Sequence, residues 1–204
     1  TDACMDKDDG VVLVGSFTSF DGVPVPGMVR LDAGGNVDHA FLENLGTGPD
    51  GNVTMVRYNK ALDKMMVVGG FEHVNGQPRQ QMAMLNPDGT LDETFVPREI
   101  GGGTVNFAQL IDKEKVIVSG TFSTYGGVPR LGFLILEMDG RAQQKFNVPG
   151  TFNGQLYHVA ETETTLGSYG LLLMGSFDRF NGQKANNVLM LEVNLEHYCK
   201  KRER

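Results

Sequence analysis

The feature that most constrains the fold is a 31-residue pattern that occurs four times along the 204-residue chain. Each copy opens with an apolar run and a Gly-x-Phe step, and the glycines of successive copies are 54, 51 and 55 residues apart. The copies are Val11–Phe41, Met65–Phe95, Val116–Phe146 and Leu171–Lys201. A period of roughly 50 residues is typical of one supersecondary unit that is copied and stacked, as in propellers and solenoids.

Two apolar segments in every copy predict strands, because short apolar runs bounded by turn residues are typical of strands buried on both faces. The opening runs are Val11–Val14, Met65–Val68, Val116–Ser119 and Leu171–Met174. The second runs are Met28–Leu31, Met82–Leu85, Phe133–Leu136 and Val188–Leu191. Between them lies an Asp-Gly, Asn-Gly or Gly-Gly pair, which tolerates positive φ and favours a tight reversal.

The stretches between copies each hold another strand candidate, and a short outer segment ends the first three copies. The candidates are Thr1–Met5, Val53–Tyr58, Val105–Leu110 and Leu156–Ala160. Four strands per unit with almost no helical periodicity predict an all-β fold. We expect a β-propeller of four repeats of about 50 residues, each four-stranded, in a single domain over residues 1–204. The expected repeats are about 1–41, 42–95, 96–146 and 147–204.

Other all-β architectures fit this repeat less well, since a β-helix has shorter rungs and a single sandwich would not repeat so regularly. The last copy lacks the Asp-Gly turn after Leu191, which fits either a terminal cap or the join of a closed ring. Four-bladed rings are uncommon, so further blades upstream remain open. Because the chain begins at Thr1 without a cleavable signal, we expect a mature or excised part of a longer protein.

Composition restricts the classes of partner. The formal net charge of −7 argues against non-specific nucleic-acid binding, which needs a basic surface. No apolar stretch approaches the roughly 20 residues that span a bilayer, so we expect no membrane span. The one basic cluster, Lys200–Arg204, lies at the end of the chain and indicates a solvated tail.

The two cysteines, Cys4 and Cys199, lie near opposite ends of the chain. The ends of a ring-shaped fold meet, so these cysteines could form a disulfide that closes the circle. The alternative is two unrelated buried thiols.

The repeat resembles a known family. Val11–Phe17, then Asp21-Gly22 and Val29–Asp32, is similar to the delta-60 repeat of bacterial β-propellers, and Met84–Phe95 carries the same Leu-Asn, Asp-Gly, Leu-Asp and Phe elements. The third copy has Ala142-Gln143 in place of Leu-Asp, and the fourth loses the ending. The resemblance covers the whole chain and implies a propeller.

For function the resemblance implies less, because the family has no settled activity. Its members are commonly secreted or anchored to the bacterial cell envelope, some beside immunoglobulin-like modules and in gut bacteria that degrade glycans. By analogy we expect an extracytoplasmic location, with any lipid anchor outside this segment. The same analogy implies a non-catalytic binding or scaffold module with a protein or carbohydrate partner.

Two motifs match the sequence pattern of a functional site but lack other residues or elements that the site requires. Gly46–Gly51 spells G-x-G-x-x-G, but Pro49 and Gly51 prevent the following helix that a dinucleotide site needs, so we predict a turn. Asp6–Gly10 begins like a calcium loop, but Ser16 stands where a bidentate glutamate would be required. We predict a polar hairpin turn there.

No catalytic or metal constellation is evident in the sequence, and none of the cofactor motifs that we tested fits. The histidines lack the i, i+4 spacing of a helical zinc site, the cysteines are not a CxxC pair, and there is no G-x-S-x-G elbow. A hydrolase or lyase built from distant residues stays open as an alternative, as does a purely structural spacer in a larger envelope protein.

Propellers commonly bind ligands at the mouth of the central channel. The residues that we expect there are on the strand candidates: Arg57, Tyr58, Asn106, Gln109, Tyr157 and His158. Tyr157 with His158 offers an aromatic face and a titratable donor, which suits stacking on a sugar. The alternative is that these side chains only solvate the channel wall. The phenylalanines of the Gly-x-Phe steps recur at one position and are expected to pack between blades.

Overall fold

The computed structural model of the chain describes residues 1–143, 151–163 and 168–192, and these form strands, turns and one short helix. The first repeat contains β1 (Asp2–Met5), β2 (Val11–Val14), β3 (Ser19–Phe20), β4 (Val23–Pro24) and β5 (Met28–Leu31), followed by α1 (His39–Leu45). The second contains β6 (Val53–Asn59), β7 (Lys64–Gly69), β8 (His73–Val74), β9 (Gln77–Pro78) and β10 (Met82–Leu85). The third contains β11 (Ile100–Gly101), β12 (Val105–Ile111), β13 (Lys115–Gly120), β14 (Thr124–Tyr125), β15 (Val128–Pro129) and β16 (Phe133–Glu137). The fourth contains β17 (Leu156–Glu163), β18 (Tyr169–Gly175), β19 (Arg179–Phe180), β20 (Gln183–Lys184) and β21 (Val188–Glu192).

Each repeat has one main three-stranded antiparallel sheet, and we number these sheets 1 to 4 in chain order. In the third repeat β11 also pairs with β14, so the β14-β15 hairpin there belongs to a further three-stranded sheet. The strand orders of sheets 1 to 4 are β1-β2-β5, β6-β7-β10, β12-β13-β16 and β17-β18-β21. In every sheet a first strand pairs with a middle strand, and the middle strand pairs with a last strand. These strands match the predicted apolar runs to within a few residues.

A short two-stranded ribbon connects the middle strand of each sheet to the last strand, as β3-β4, β8-β9, β14-β15 and β19-β20. The two residues at the tip of each ribbon have positive φ, for example 54° at Asn75 and 73° at Gly76. This is the backbone conformation of a type I′ turn, and it confirms the reversal that the Asn-Gly and related pairs predict.

In the first three repeats, whose outer segments lie within the described residues up to the third bridge, the expected fourth strand is not formed. At the fourth position there is only an isolated bridge, such as Leu31 to Val37 or Leu85 to Leu91. After the bridge, aspartate side chains accept backbone N–H groups that a strand would offer to its neighbour. The Asp38 carboxylate accepts from Phe41 at 3.0 Å, and the Asp92 carboxylate accepts from Thr94 at 2.9 Å.

The same Asp38 carboxylate explains a helix that the sequence analysis missed. Asp38 is the N-cap of α1, whose seven residues end at a Gly46 cap with φ 61°. Phe41 and Leu45 of α1 are buried between sheets 1 and 2. Across the described ranges, no helix is long and apolar enough to span a membrane.

The four sheets stack face to face in chain order, with their first strands β1, β6, β12 and β17 side by side in that order. We call the face toward the following sheet the leading face and the face toward the preceding sheet the trailing face. Val12, Val14 and Met28 on the leading face of sheet 1 pack against the trailing face of sheet 2. A second apolar cluster fills the spaces between sheets 2 and 3 and between sheets 3 and 4.

The phenylalanines of the Gly-x-Phe steps lie mostly where the repeat predicts. Phe71, Phe122 and Phe177 are buried in these two clusters, whereas Phe17 is half-buried. The Phe177 ring centroid is 4.5 Å from that of Phe152. The packing role is therefore confirmed for three of the four positions.

Candidate functional site

The first strands of sheets 2, 3 and 4 share one irregularity, a β-bulge after the first residue. In sheet 3, Val105 faces Gly120 and Phe107 faces Ser119, so Asn106 is an extra residue without a partner in the ladder. Thr54 and Tyr157 are the extra residues at the same position of sheets 2 and 4. A bulge re-aims the side chain of its extra residue, and bulges are common beside binding sites. All three side chains line one cavity.

The repeated glycine makes this bulge possible. A Cβ atom on Gly69, Gly120 or Gly175 would lie 2.1, 1.9 or 2.0 Å from the carbonyl oxygen of Asn52, Thr104 or Gln155, respectively. No real Cβ tolerates such a contact, so only glycine lets the start of the first strand approach the middle strand this closely. The glycine that recurs in the Gly-x-Phe steps therefore determines where the residue before each bulged strand lies.

The cavity lies where the first strands of sheets 2, 3 and 4 begin, and its volume is about 550 Å³. This is within the range of roughly 300–1,000 Å³ that small-molecule sites occupy. Its polar side chains come from equivalent positions of the three repeats, with two more from the segments on either side of the β8-β9 ribbon. They are Asn52, Thr54, Glu72, Gln81, Thr104, Asn106, Gln155 and Tyr157.

Four of these side chains make hydrogen bonds within the protein. The Thr54 hydroxyl donates to the carbonyl oxygen of Val68 at 3.1 Å. The Gln81 amide oxygen accepts from the backbone N–H of Val105 at 2.7 Å, which ties sheet 2 to the bulge of sheet 3. The Thr104 hydroxyl donates to the Asn106 amide oxygen at 3.1 Å, so the Asn106 amide group is directed and its NH₂ remains open to the cavity.

The remaining groups are free to bind a ligand. The side chains of Asn52, Glu72, Gln155 and Tyr157 make no hydrogen bond to any other residue that the structure describes. Tyr157 is 53% exposed. Amides, a hydroxyl and a carboxylate around an accessible aromatic ring can donate to and accept from a molecule with many hydroxyl groups.

The six residues that the sequence predicts at the site are spread over several places. Asn106 and Tyr157 lie in the cavity as expected. Arg57 lies beside it: its guanidinium forms an ion pair with Asp2 of β1, and its Nη2 atom is 3.5 Å from the carbonyl oxygen of Tyr157. Arg57 therefore connects the first strands of three sheets.

Tyr58, Gln109 and His158 do not line the cavity. Burial, together with a hydrogen bond to Asp63, raises the pKa of Tyr58 to about 12. The Gln109 amide links β12 to β17, donating to the carbonyl oxygen of Val159 at 2.7 Å and accepting from its N–H at 3.2 Å. His158 follows the bulge and is exposed on the leading face of sheet 4.

The remaining expectations concern the cysteines and the two motif look-alikes. Cys4 is half-buried on β1, but Cys199 lies outside the described residues, so their disulfide stays a prediction. Gly46–Gly51 is a turn, with a helix before it and a strand after it. Asp6–Gly10 is a hairpin turn in which one Asp6 carboxylate oxygen accepts from the N–H groups of Asp8 and Gly10, each at 2.9 Å. Both predicted turns are confirmed.

In the ranges that the structure covers, no three His, Cys, Asp or Glu side chains form a group that could hold a metal ion. The other Asp6 carboxylate oxygen is paired with Arg30 at 2.6 Å.

Sequence reasoning missed most of the cavity. Asn52, Thr54, Glu72, Gln81, Thr104 and Gln155 were not among the expected residues. The sequence contained a signal for Asn52, Thr54, Thr104 and Gln155. Polar residues recur in successive repeats at two positions, the one before the first strand and the bulge itself. Nothing in the spacing indicated that Glu72 and Gln81 fold back from the ribbon.

Comparison with known proteins supports the fold. A family model described as a domain of unknown function (DUF5122) beta-propeller matches residues 7–41 and 63–95. These segments hold the middle and last strands of sheets 1 and 2 with their ribbons. None of the curated proteins and none of the solved structures matches the chain. The chain is therefore strand-rich and similar to β-propeller repeats.

Proposed function

We propose that this protein is a non-catalytic, extracytoplasmic binding module that holds a neutral glycan in the cavity at the bulges. Its four sheets are blades of a β-propeller of the delta-60 repeat type. The observation that carries this proposal is the exposed Tyr157 ring, surrounded by side chains without a protein partner.

Recognition of a sugar needs two kinds of contact, and the cavity offers both. The C–H face of a sugar ring stacks on an aromatic ring, and Tyr157 is accessible for this. The hydroxyl groups of a sugar both donate and accept. The amides of Asn52, Asn106 and Gln155 supply both functions, and the Glu72 carboxylate accepts.

The charges favour a neutral ligand. No Lys, Arg or His side chain is among the described residues that line the cavity, and Glu72 would repel an acidic sugar. Arg57, whose guanidinium is 3.5 Å from the carbonyl oxygen of Tyr157, is already paired with Asp2. A phosphate or sulfate group would therefore find no partner.

The chemistry of the lining favours binding over hydrolysis. Glycoside hydrolases generally use a pair of carboxylates that flank the scissile bond. Glu72 is the one carboxylate among the described lining residues. A second catalytic acid would have to come from outside this set.

Two observations support the family and the location. Met84–Phe95, which carries the closest resemblance to the delta-60 repeat, falls entirely within the matched segment 63–95. Members of that family are commonly secreted or anchored to the cell envelope. Fractionation of the native cells with an antibody against the protein tests the location, and a cytoplasmic signal would contradict it.

A glycan array of neutral and acidic sugars, followed by calorimetric titration with the best ligand, tests the binding function. We expect Tyr157→Ala to weaken binding by up to about tenfold, since one stacked ring contributes roughly 0.5–1.5 kcal/mol beyond the area that it buries. Tyr157→Phe should retain most of the affinity. His158→Ala is the matched control, because His158 is exposed on the same strand but does not line the cavity.

Two results would overturn the proposal. One is an array with no bound glycan at any tested concentration. The other is a bound glycan whose affinity is unchanged by Tyr157→Ala, which would place the ligand elsewhere on the protein.

A further inference from the structure

The cavity at the bulges has a neighbour one repeat earlier in the chain. A second cavity, with a volume of about 340 Å³, lies between the loops of sheet 1 and the segment that leads into β6. Asn52 lines both cavities. The two cavities are therefore adjacent, with Asn52 at their boundary.

The second cavity is built from repeat positions that also build the first. Four of its residues in sheet 1 have equivalents 54 residues later that line the first cavity. The N–H of Gly15 donates to the carbonyl oxygen of Gly27 at 2.9 Å, and the N–H of Gly69 donates to that of Gln81 at 3.0 Å, so these positions match in the two sheets. The binding surface is thus repeated from one sheet to the next. The equivalent pairs are Gly15 and Gly69, Ser16 and Gly70, Thr18 and Glu72, and Gly27 and Gln81.

The polar groups of the second cavity are available to a ligand. The hydroxyl groups of Ser16 and Thr18 and the amide of Asn52 make no hydrogen bond to any other residue within the described ranges. Hydroxyl and amide groups both donate and accept hydrogen bonds. The second cavity therefore offers the same kind of contact as the amides of the first.

The charge of the second cavity also resembles that of the first. Asp50 is the one carboxylate among its described lining residues, and both of its oxygens are occupied. One accepts from the N–H groups of Glu72 and His73 at 2.8 and 3.0 Å, and the other is 2.8 Å from the His73 Nδ1 atom. No Lys, Arg or His side chain lines this cavity in the part of the chain that the structure describes. Both cavities therefore favour a neutral ligand.

The accessibility of Ser16 and Thr18 is a property of the repeat, and it does not depend on where the sequence begins. The residues at these two positions are exposed in all four repeats. In sheet 3 they are Thr121 and Ser123, and that sheet has a neighbour on both sides. The second cavity itself lies between two sheets that the structure describes.

We propose that the ligand of the glycan site is a chain of linked neutral sugars that lies across both cavities, and not a single sugar. This inference rests on the proposed glycan-binding function. A surface that recurs at the same repeat positions suits a ligand that itself repeats. Stacked sheets lie about 10 Å apart, so equivalent points of the two cavities are separated by more than one sugar ring, and a linked chain bridges them.

Three parts of the path contact different sugars of such a chain. Tyr157 stacks on a sugar in the first cavity, and Asn52 bonds the chain where it passes between the cavities. Ser16 and Thr18 bond the hydroxyl groups of a sugar in the second cavity. The affinity of a chain should therefore depend on residues that a short fragment does not reach.

Calorimetric titration of the whole chain tests this with the neutral glycan that binds best on the array and with fragments of it, from a single sugar upward. We expect the full glycan to bind at least about tenfold more tightly than the shortest fragment with measurable affinity, because it makes contacts in both cavities. The shortest fragment should bind in the first cavity, so its affinity should fall in Tyr157→Ala.

The double variant Ser16→Ala/Thr18→Ala alters only the second cavity. It should weaken binding of the full glycan by about fivefold or more, since two hydrogen bonds are lost, and leave binding of the shortest fragment unchanged. Ser19→Ala is the matched control, because Ser19 carries an exposed hydroxyl in the same segment but lines neither cavity. It should bind both ligands like the unaltered protein.

The outcomes separate this inference from the proposed function. Equal affinities of fragment and full glycan, or a double variant that weakens neither ligand or both equally, would overturn the inference and leave glycan binding in place. The proposed function fails in a different way. In that case no glycan binds, or Tyr157→Ala changes the affinity for no length of ligand, and the inference is then overturned with it.

Discussion

A Cβ atom on Gly120 would lie 1.9 Å from the carbonyl oxygen of Thr104, so these two residues fix how closely β12 approaches β13. Gly69 and Gly175 approach the carbonyl oxygens of Asn52 and Gln155 in the same way. This contact lies directly before each bulge. It links the repeated glycine of the sequence to the geometry of the cavity.

We expect Gly120→Ala to lower the free energy of unfolding by about 1–3 kcal/mol or more, because a methyl group would be forced against backbone. Gly15→Ala is the matched control. A Cβ there meets only the side chains of Phe17 at 3.0 Å and Thr1 at 3.3 Å, which can move. Urea denaturation measures both changes, and an equal loss for the two variants would contradict the steric explanation.

The ion pair between Arg57 and Asp2 should stabilise the row of first strands. Asp2 also accepts from the N–H of Val56 at 3.1 Å, and both charged side chains are partly buried. We expect Arg57→Gln to lower the free energy of unfolding by about 1 kcal/mol. A double-mutant cycle with Asp2→Asn isolates the pair, and strictly additive losses would show that the two charges do not interact.

Stability should fall at acidic pH partly through Asp6. Burial alone would raise the pKa of Asp6, but hydrogen bonds from Arg30, Asp8 and Gly10 outweigh it and hold the pKa below the ordinary value. A carboxylate with a lowered pKa stabilises the fold above its unfolded pKa of about 3.9, and this contribution is lost as pH falls through the folded pKa.

Asp6→Asn keeps an amide oxygen that can accept from the turn but removes the charge that Arg30 needs. We expect a loss of about 2 kcal/mol at pH 7. The difference from the unaltered protein should shrink below pH ~4. Urea denaturation from pH 7 to pH 3 checks this, and a difference that is constant over that range would contradict the assignment.

The phenylalanines of the repeat should differ in their contributions to stability. Phe122 is 1% exposed, whereas Phe17 is half-buried. We expect Phe122→Ala to lower the free energy of unfolding by about 3–5 kcal/mol, and Phe17→Ala by clearly less, because a smaller cavity forms where solvent already reaches. Thermal and urea denaturation of both variants measures this, and equal effects would mean that burial does not control the contribution.

The strands of the four main sheets and all of the ribbon tips could be placed from the sequence because their determinants are local. A run such as Val116–Ser119 and a pair such as Asn75-Gly76 restrict their own backbone whatever surrounds them. The helix α1 and the missing fourth strand were not predictable in this way. They depend on Asp38 and Asp92, whose carboxylates accept N–H groups that a strand would have used.

The cavity residues also divide into those that the sequence predicts and those that only the structure reveals. Asn106 and Tyr157 could be proposed because polar residues on a strand that is otherwise apolar are conspicuous. Tyr58, Gln109 and His158 shared that property, yet they point to Asp63, to Val159 and to an open sheet face. A one-residue bulge changes the face on which every later side chain of a strand lies, and the pattern of residues does not reveal it.

The amino-acid order by itself determined a stack of four like units, because the period, the apolar runs and the turn pairs act over a few neighbouring residues. Only the tertiary structure decided which side chains meet in the cavity and which link neighbouring sheets. Both depend on contacts between sheets about 50 residues apart along the chain, such as that of Gln109 with Val159. Contacts between such distant residues are set by packing and strand register, which no local sequence pattern encodes.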